Sequence, residues 1–219
     1  MNASKLAVIL GSLAALGLFI GCSQSGGGGG GASVAHLKHV TESWGDTPGK
    51  QGLAPTMEAE AKIAEQHAGF AASKPADLAW VQKHIRHVRH AIDASTESSG
   101  PGKGYGVLKA AGGVVKHIKL AASSSDASGS LKTHSVHVAT SAGNVVRWSN
   151  RVILLSENIL SAKASKKKDM KGVAKWVKAL HATTKQILNG NDANGDGKIS
   201  WDYGEGGIAQ VNQHLGFIK

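Results

Sequence analysis

The sequence predicts an all-α fold: an antiparallel bundle of about five helices, then a loop and a short C-terminal helix. Three observations carry this prediction. Apolar residues recur at steps of three and four along most of the chain. Period-two alternation, the mark of a half-buried strand, is missing. Pro55, Pro75 and Gly100-Pro101-Gly102 mark breaks before periodic runs.

The runs, in order, justify each element. Ile63, Ala64, His67, Phe70 and Ala71 line one face of a first helix. Leu78, Val81, Ile85, Val88 and Ile92 line a second, and Val107, Ala111, Val114, Ile118 and Ala121 a third. Leu131, His134, Val138, Ser141, Val145, Trp148, Val152, Leu155, Ile159 and Ala162 form a single stripe, so one long helix is expected there. Met170, Val173, Val177, Leu180, Thr184 and Ile187 give a fifth; Ile208, Val211 and Leu215 give the short last one. The alanines on these stripes imply close helix approach. Gly102-Lys103-Gly104-Tyr105-Gly106 precedes a helix, but no strand leads into it and the dinucleotide spacing is lacking, so it reads as a loop.

The first 21 residues carry one cation, Lys5, and then an uninterrupted apolar or small-residue run from Leu6 to Ile20. That is the plan of a signal peptide, and the run is short for a membrane span, which needs about twenty residues. Cys22 follows, then Ser23-Gln24-Ser25 and glycines 26–31, a composition that cannot pack and behaves as a tether. The expected organisation is a signal peptide over 1–21, a lipidated cysteine and flexible tether over 22–54, a helical bundle over 55–189, and a loop with terminal helix over 190–219. Leu18-Phe19-Ile20-Gly21-Cys22 resembles the lipobox of bacterial lipoproteins, with Phe19 where that family usually has Leu. The resemblance implies acylation of Cys22 and attachment to a membrane, and Ser23 implies the outer membrane of a double-membrane cell, facing the periplasm. Cys22 is the only cysteine, which excludes a disulfide, a cysteine zinc site or a C-x-x-C-H haem attachment within the mature chain.

Near the C-terminus, Asp192, Asn194, Asp196, Lys198 and Ser200 occupy alternate positions, with Gly197 at the sharp turn and Ile199 after it. A hard cation takes about six to eight oxygens, and such a loop offers side-chain oxygens at its first, third and fifth positions, a carbonyl at the seventh and a water-linked residue at the ninth. The run resembles an EF-hand calcium loop from Asp192 through Ile199. It departs at the twelfth position, where Tyr203 replaces the bidentate Glu. Glu205 is the expected closing ligand and Asp202 the alternative. The ion-free reading is a solvated Asn/Asp/Gly turn.

Eleven histidines stand out in the composition, in runs such as His84-Ile-Arg-His87-Val-Arg-His90 and His134-Ser-Val-His137. At about 100° per residue, His67 and His134 fall on apolar stripes and His84 and His181 at stripe edges. Those four, from four helices, are the candidates to meet in the interior around zinc, copper or a b-type haem iron. The alternative is four core histidines satisfied by backbone or hydroxyl partners. His87 and His90 are expected on the solvated side, His117 and His214 off the core line, and His36 and His39 ahead of the bundle. The Glu-x-x-His pair of di-iron bundles is missing, since position 64 is Ala. The stretch from His84 through the Gly100–Gly106 loop to His117 and His137 resembles small bacterial envelope proteins, a resemblance that implies no activity.

The chain is basic, with net charge +10, and lysines gather at Lys163, Lys166 to Lys168, Lys171, Lys175 and Lys178. They lack the arginine and aromatic interleaving of a nucleic-acid surface, so a solvated helix face in contact with anionic lipid or lipopolysaccharide phosphates is expected instead. No nucleophile with a neighbouring base, paired carboxylates or redox dithiol can be identified. The sequence therefore points to a lipid-anchored envelope protein that binds calcium through its C-terminal loop and serves a structural or interaction role with an envelope partner. The alternative is a transition-metal or b-type haem protein that uses the interior histidines for storage or electron transfer.

Overall fold

In the computed structural model, residues 30–163 and 167–219 are described, and every regular element among them is helical. The helices are α1 (Ala32–Thr41), α2 (Leu53–Ser73), α3 (Leu78–Ile92), α4 (Val107–Ser123), α5 (Gly129–Ser161), α6 (Lys167–Asn189) and α7 (Ile208–Gly216). The signal peptide, Cys22, the first part of the tether and Lys166 lie outside the described residues. No helix among those described is long and apolar enough to cross a membrane.

The apolar stripes read for α3, α4 and α5 supply the core, whereas on α2 the buried line runs through the alanines and leaves Ile63 and His67 half-buried and Phe70 exposed. Ala61, Ala64, Ala68 and Ala71 of α2 are buried, as are Val81, Ile85, Val88 and Ile92 of α3 and Val107, Ala111, Val114, Ile118 and Ala121 of α4. Leu131, Val138, Val145, Val152 and Ile159 do the same along the length of α5. Small residues let the helices close on one another: a Cβ on Gly113 of α4 would stand 2.8 Å from the Leu53 side chain of α2. Asp77 caps α3 by accepting the Trp80 N–H at 3.0 Å, and Ser128 caps α5 by accepting the Leu131 N–H at 3.1 Å.

The tether expected to run to residue 54 is corrected by α1, which packs against α4 with Val40 fully buried. It is held further by Ser33, whose N–H and hydroxyl donate to the Asp126 carboxylate at 3.1 and 2.8 Å.

Glu60 of α2 is completely buried, and its carboxylate accepts the backbone N–H groups of Lys103, Tyr105 and Gly106 at 3.0 to 3.1 Å. The glycine-rich loop before α4 thus closes around the Glu60 side chain. Gly102 has no room for a side chain there, since a Cβ would stand 2.6 Å from the Glu60 carboxylate. Gly106 has φ +86°, a conformation that glycine alone adopts without strain. Asn144 of α5 plays the same part for the segment before α7. Its amide N–H groups donate to Asp202 O and Gly206 O at 2.8 and 2.9 Å, and its carbonyl accepts the Gly204 N–H at 3.0 Å.

Removing the Glu60 carboxylate leaves three buried donors unpaired. Glu60→Ala should lower unfolding stability by about 3–5 kcal/mol, the range for breaking a buried charged network, and Glu60→Gln by less. A denaturant midpoint for Glu60→Ala equal to that of the parent would show that the loop does not depend on this anchor.

Candidate metal centres

Two histidines three residues apart on a helix share one face. Of the four such pairs in the sequence, three are followed by valine, His36-Leu-Lys-His39-Val40, His84-Ile-Arg-His87-Val88 and His134-Ser-Val-His137-Val138, and the fourth, His87-Val-Arg-His90, by Ala91. Val40, Val88 and Val138 are all fully buried. The valine seats each pair at a helix–helix boundary, where the rings reach across to a neighbouring helix. A third histidine meets them there: His117 of α4 for the pair on α1, His67 of α2 for the pair on α3, and His214 of α7 for the pair on α5.

In every triad the third histidine is the hub, and the contacts run between Nδ1 atoms. His117 stands 3.1 Å from His36 and 3.3 Å from His39. His67 stands 2.9 Å from His84 and 3.2 Å from His87. His214 stands 3.1 Å from His134 and 3.2 Å from His137. In each group all three ligand atoms lie within 4.8 Å of one another. Nitrogens at these separations, on metal–imidazole bonds of about 2.0–2.1 Å, subtend roughly 90° to 107° at a shared ion. Each triad could therefore hold a metal ion.

Proton counting explains why an ion suits the triads. A neutral imidazole has one N–H and one lone pair. The hub Nδ1 has two close neighbours, so it can donate to one or accept well from one, and the second contact lacks a well-formed hydrogen bond. A cation facing three lone pairs satisfies all of them at once. His84 shows the same shortage on its other side, where Nε2 is buried without a partner.

Burial favours the neutral form of seven of the nine rings. It pushes His67 down to about 4, with the positive charges of His87 and His84 adding to the effect. His39, His84, His87, His117, His137 and His214 are lowered as well, each mainly by burial. At neutral pH their Nδ1 lone pairs are available to a metal.

Each triad also meets an indole. The Trp44 ring lies 4.7 Å from His39 and 4.5 Å from His117, Trp80 lies 4.4 Å from His84, and Trp201 stacks on His137 at 4.1 Å. Phe70 and Phe217 add edge or tilted contacts at the second and third triads.

The four histidines expected to converge divide among different places. His67 and His84 share one triad and His134 belongs to another, while His181 pairs with Glu65, Nε2 to Oε1, at 3.1 Å. The solvated reading is corrected for His87, a triad member, and for His90, which is buried and donates from Nδ1 to Glu97 O at 2.8 Å. His36, His39, His117 and His214, set aside by the helical-wheel argument, are triad members too. The repeated H-x-x-H-V was the available signal, together with the matching hubs Gln66-His67-Ala-Gly-Phe70 and Gln213-His214-Leu-Gly-Phe217.

The C-terminal loop is arranged differently. Asp192 accepts the N–H groups of Gly195 and Gly197 at 2.7 and 3.0 Å, Asn194 that of Asp196 at 2.9 Å, and Asp196 that of Lys198 at 2.8 Å. Glu205 is buried and accepts both the N–H and the hydroxyl of Ser200, at 3.0 and 2.8 Å. Tyr203 is exposed beneath the Arg147 guanidinium. The Ser200 hydroxyl also lies 2.8 Å from the Asp202 carboxylate and accepts the Asp202 N–H at 3.0 Å. Among the described residues, the groups of three or more metal-ligating side chains are the three histidine triads, and the loop carboxylates form no such group.

Comparison with known protein families, with curated proteins and with solved structures finds no match for this chain.

The depressed histidines make stability depend on pH. An unfolded His titrates near 6.5 and folded His67 near 4, so between these values the unfolded chain binds more protons. Stability of the metal-free protein should be full above about pH 6.5 and fall as pH drops toward 4. Urea midpoints at pH 7.5 and 5 test this, and equal midpoints would contradict the burial of the neutral rings.

Proposed function

We propose that this protein holds transition-metal ions, zinc or copper, at three three-histidine centres, as a store or a donor of metal. The observation that carries the proposal is the threefold recurrence of one design: an i, i+3 pair, a hub on a neighbouring helix, and convergence through Nδ1. An enzyme needs one reacting centre, whereas several similar centres suit ions carried as cargo. Imidazole suits zinc and copper, and three such ligands with an open position form a site from which an ion can leave. Haem fits poorly. Its porphyrin fills the four equatorial positions of iron and leaves axial ligands on opposite faces, whereas these nitrogens lie about 3 Å apart on one side.

The signal-peptide-like leader and Cys22 support attachment of this store to a membrane, as a lipid-anchored envelope protein facing the periplasm. Its basic surface would then rest near anionic headgroups. A second reading keeps calcium at the C-terminal loop, and the buried Glu205 carboxylate beside Ser200 favours it. Calcium would act there as a structural clip that secures α7 to α5.

Titration of the metal-free protein with zinc should reach three equivalents. His67→Ala, His117→Ala and His214→Ala should each reduce this to two, and His181→Ala should leave it at three. A stoichiometry unchanged by all three hub variants would remove the proposal.

For the second reading, millimolar calcium should raise the melting temperature of the parent and leave that of Asp192→Ala unmoved. No heat of binding and no shift in the parent would reduce the loop to a turn. For the anchor, Cys22→Ser should fold normally but fail to partition with membranes, and a mature water-soluble parent with a free thiol would exclude lipidation.

A further inference from the structure

We infer that the cargo is copper in its monovalent state, held by three imidazoles that bring no negative charge and lie against aromatic rings. This rests on the reading of the triads as metal centres and narrows it to one ion.

The first argument is charge. All nine ligands are histidines, whose imidazole brings no negative charge to an ion, and no carboxylate or thiolate belongs to any triad. A metal-bound imidazole usually donates its remaining N–H to a carboxylate or carbonyl, which spreads the charge of the ion. Among the described residues the nine triad rings make no such bond; the ring bonded to a carboxylate is His181, outside the triads. Lys83 lies close enough to His84 and His87, and Lys116 to His117, to act on them as like charges. Glu97 and Asp202 exert the opposite influence on His87 and His137, without bonding either ring. The cost of partly burying an ion grows as the square of its charge, so a divalent ion bears about four times the penalty of a monovalent one. Here little negative charge offsets it.

The second argument is coordination. Monovalent copper is satisfied by three nitrogens, and a soft, polarisable surround suits it. Zinc at a three-histidine centre takes water as a fourth ligand, and divalent copper seeks a tetragonal set with further donors. At these triads the neighbours are indole and phenyl rings: Trp44 against two rings of the first, Trp80 and Phe70 at the second, Trp201 and Phe217 at the third. Such rings offer no oxygen ligand to complete the larger donor set that a divalent ion seeks.

The same rings supply a readout. Three of the five tryptophans adjoin triads, so copper should quench indole fluorescence as the centres fill. The full chain is titrated anaerobically with copper(I) against a chromophoric copper(I) chelator, and separately with zinc and copper(II) against chelators of known affinity. The expected result is three equivalents of copper(I), held at least a hundredfold more tightly than zinc and more tightly than copper(II), with quenching in step. X-ray absorption should then show three nitrogen neighbours and no oxygen. Trp44→Ala, which leaves every ligand in place, should weaken one of the three copper(I) equivalents. Three equivalents of zinc or copper(II) held as tightly as copper(I) or more so would overturn the inference and leave the three-histidine centres standing. Failure of all three ions to bind would overturn both.

Discussion

Nδ1 lies nearer the backbone than Nε2, and that short reach governs the molecule. Two imidazoles on different helices can bring their Nδ1 atoms to about 3 Å only if the helices themselves approach closely. Close approach requires small residues at the interface. The alanine stripe of α2, the Ala110-Ala111 and Gly113 positions of α4 and Ala142 of α5 supply it. On α2 the alanines flank His67 in sequence, so the helix that carries this hub presents a small-residue face to its neighbours.

Close packing alone does not fix rotation about each helix axis, which a three-atom centre needs. Buried polar anchors do that. Glu60 gathers three backbone donors at the start of α4 and so sets α4 against α2. Asn144 gathers the loop after α6 and sets the entry to α7 against α5. Neither residue touches a triad, but each limits how far its helix can slide or turn. A satisfied buried polar network specifies one arrangement, because any other leaves its groups unpaired in a dry interior.

The bundle was legible in the sequence because periodicity reports burial directly. The stripes at Val81-Ile85-Val88, Val107-Ala111-Val114 and along α5 are the core. Helix α1 was hidden because it buries only Ser33 and Val40, too few positions to show a period, and follows a glycine run that reads as tether. The triads were hidden for a related reason. A wheel ranks residues by their angle to the apolar stripe, and that argument picked His67, His84 and His134 but also His181, which meets Glu65. It rejected His87, His117 and His214, which lie at helix–helix boundaries beside the stripe. Spacing was the better signal than angle: an i, i+3 pair ahead of a buried valine recurs three times.

The three centres differ in what their occupation does to the fold. The His67 centre joins α2 to α3, neighbours across the short turn at residues 74–77, and α3 already buries seven residues. The other two centres join α1 to α4 and α7 to α5, and each of those terminal helices buries only two residues. Their docking leans on a few hydrogen bonds, such as Ser33 to Asp126 and Ser130 to the Phe217 carbonyl. An ion that binds only the docked state stabilises it by RT ln(1 + [L]/Kd), about 2.7 kcal/mol at a hundredfold excess over Kd. Linkage runs both ways, so whatever docking costs at α1 or α7 is subtracted from the apparent affinity there and not at the α2–α3 centre. Similar ligand sets then yield one retentive centre and two whose hold on metal is tied to the ends of the chain. Under the proposed role as a metal store, that asymmetry would let the protein both retain and release its cargo.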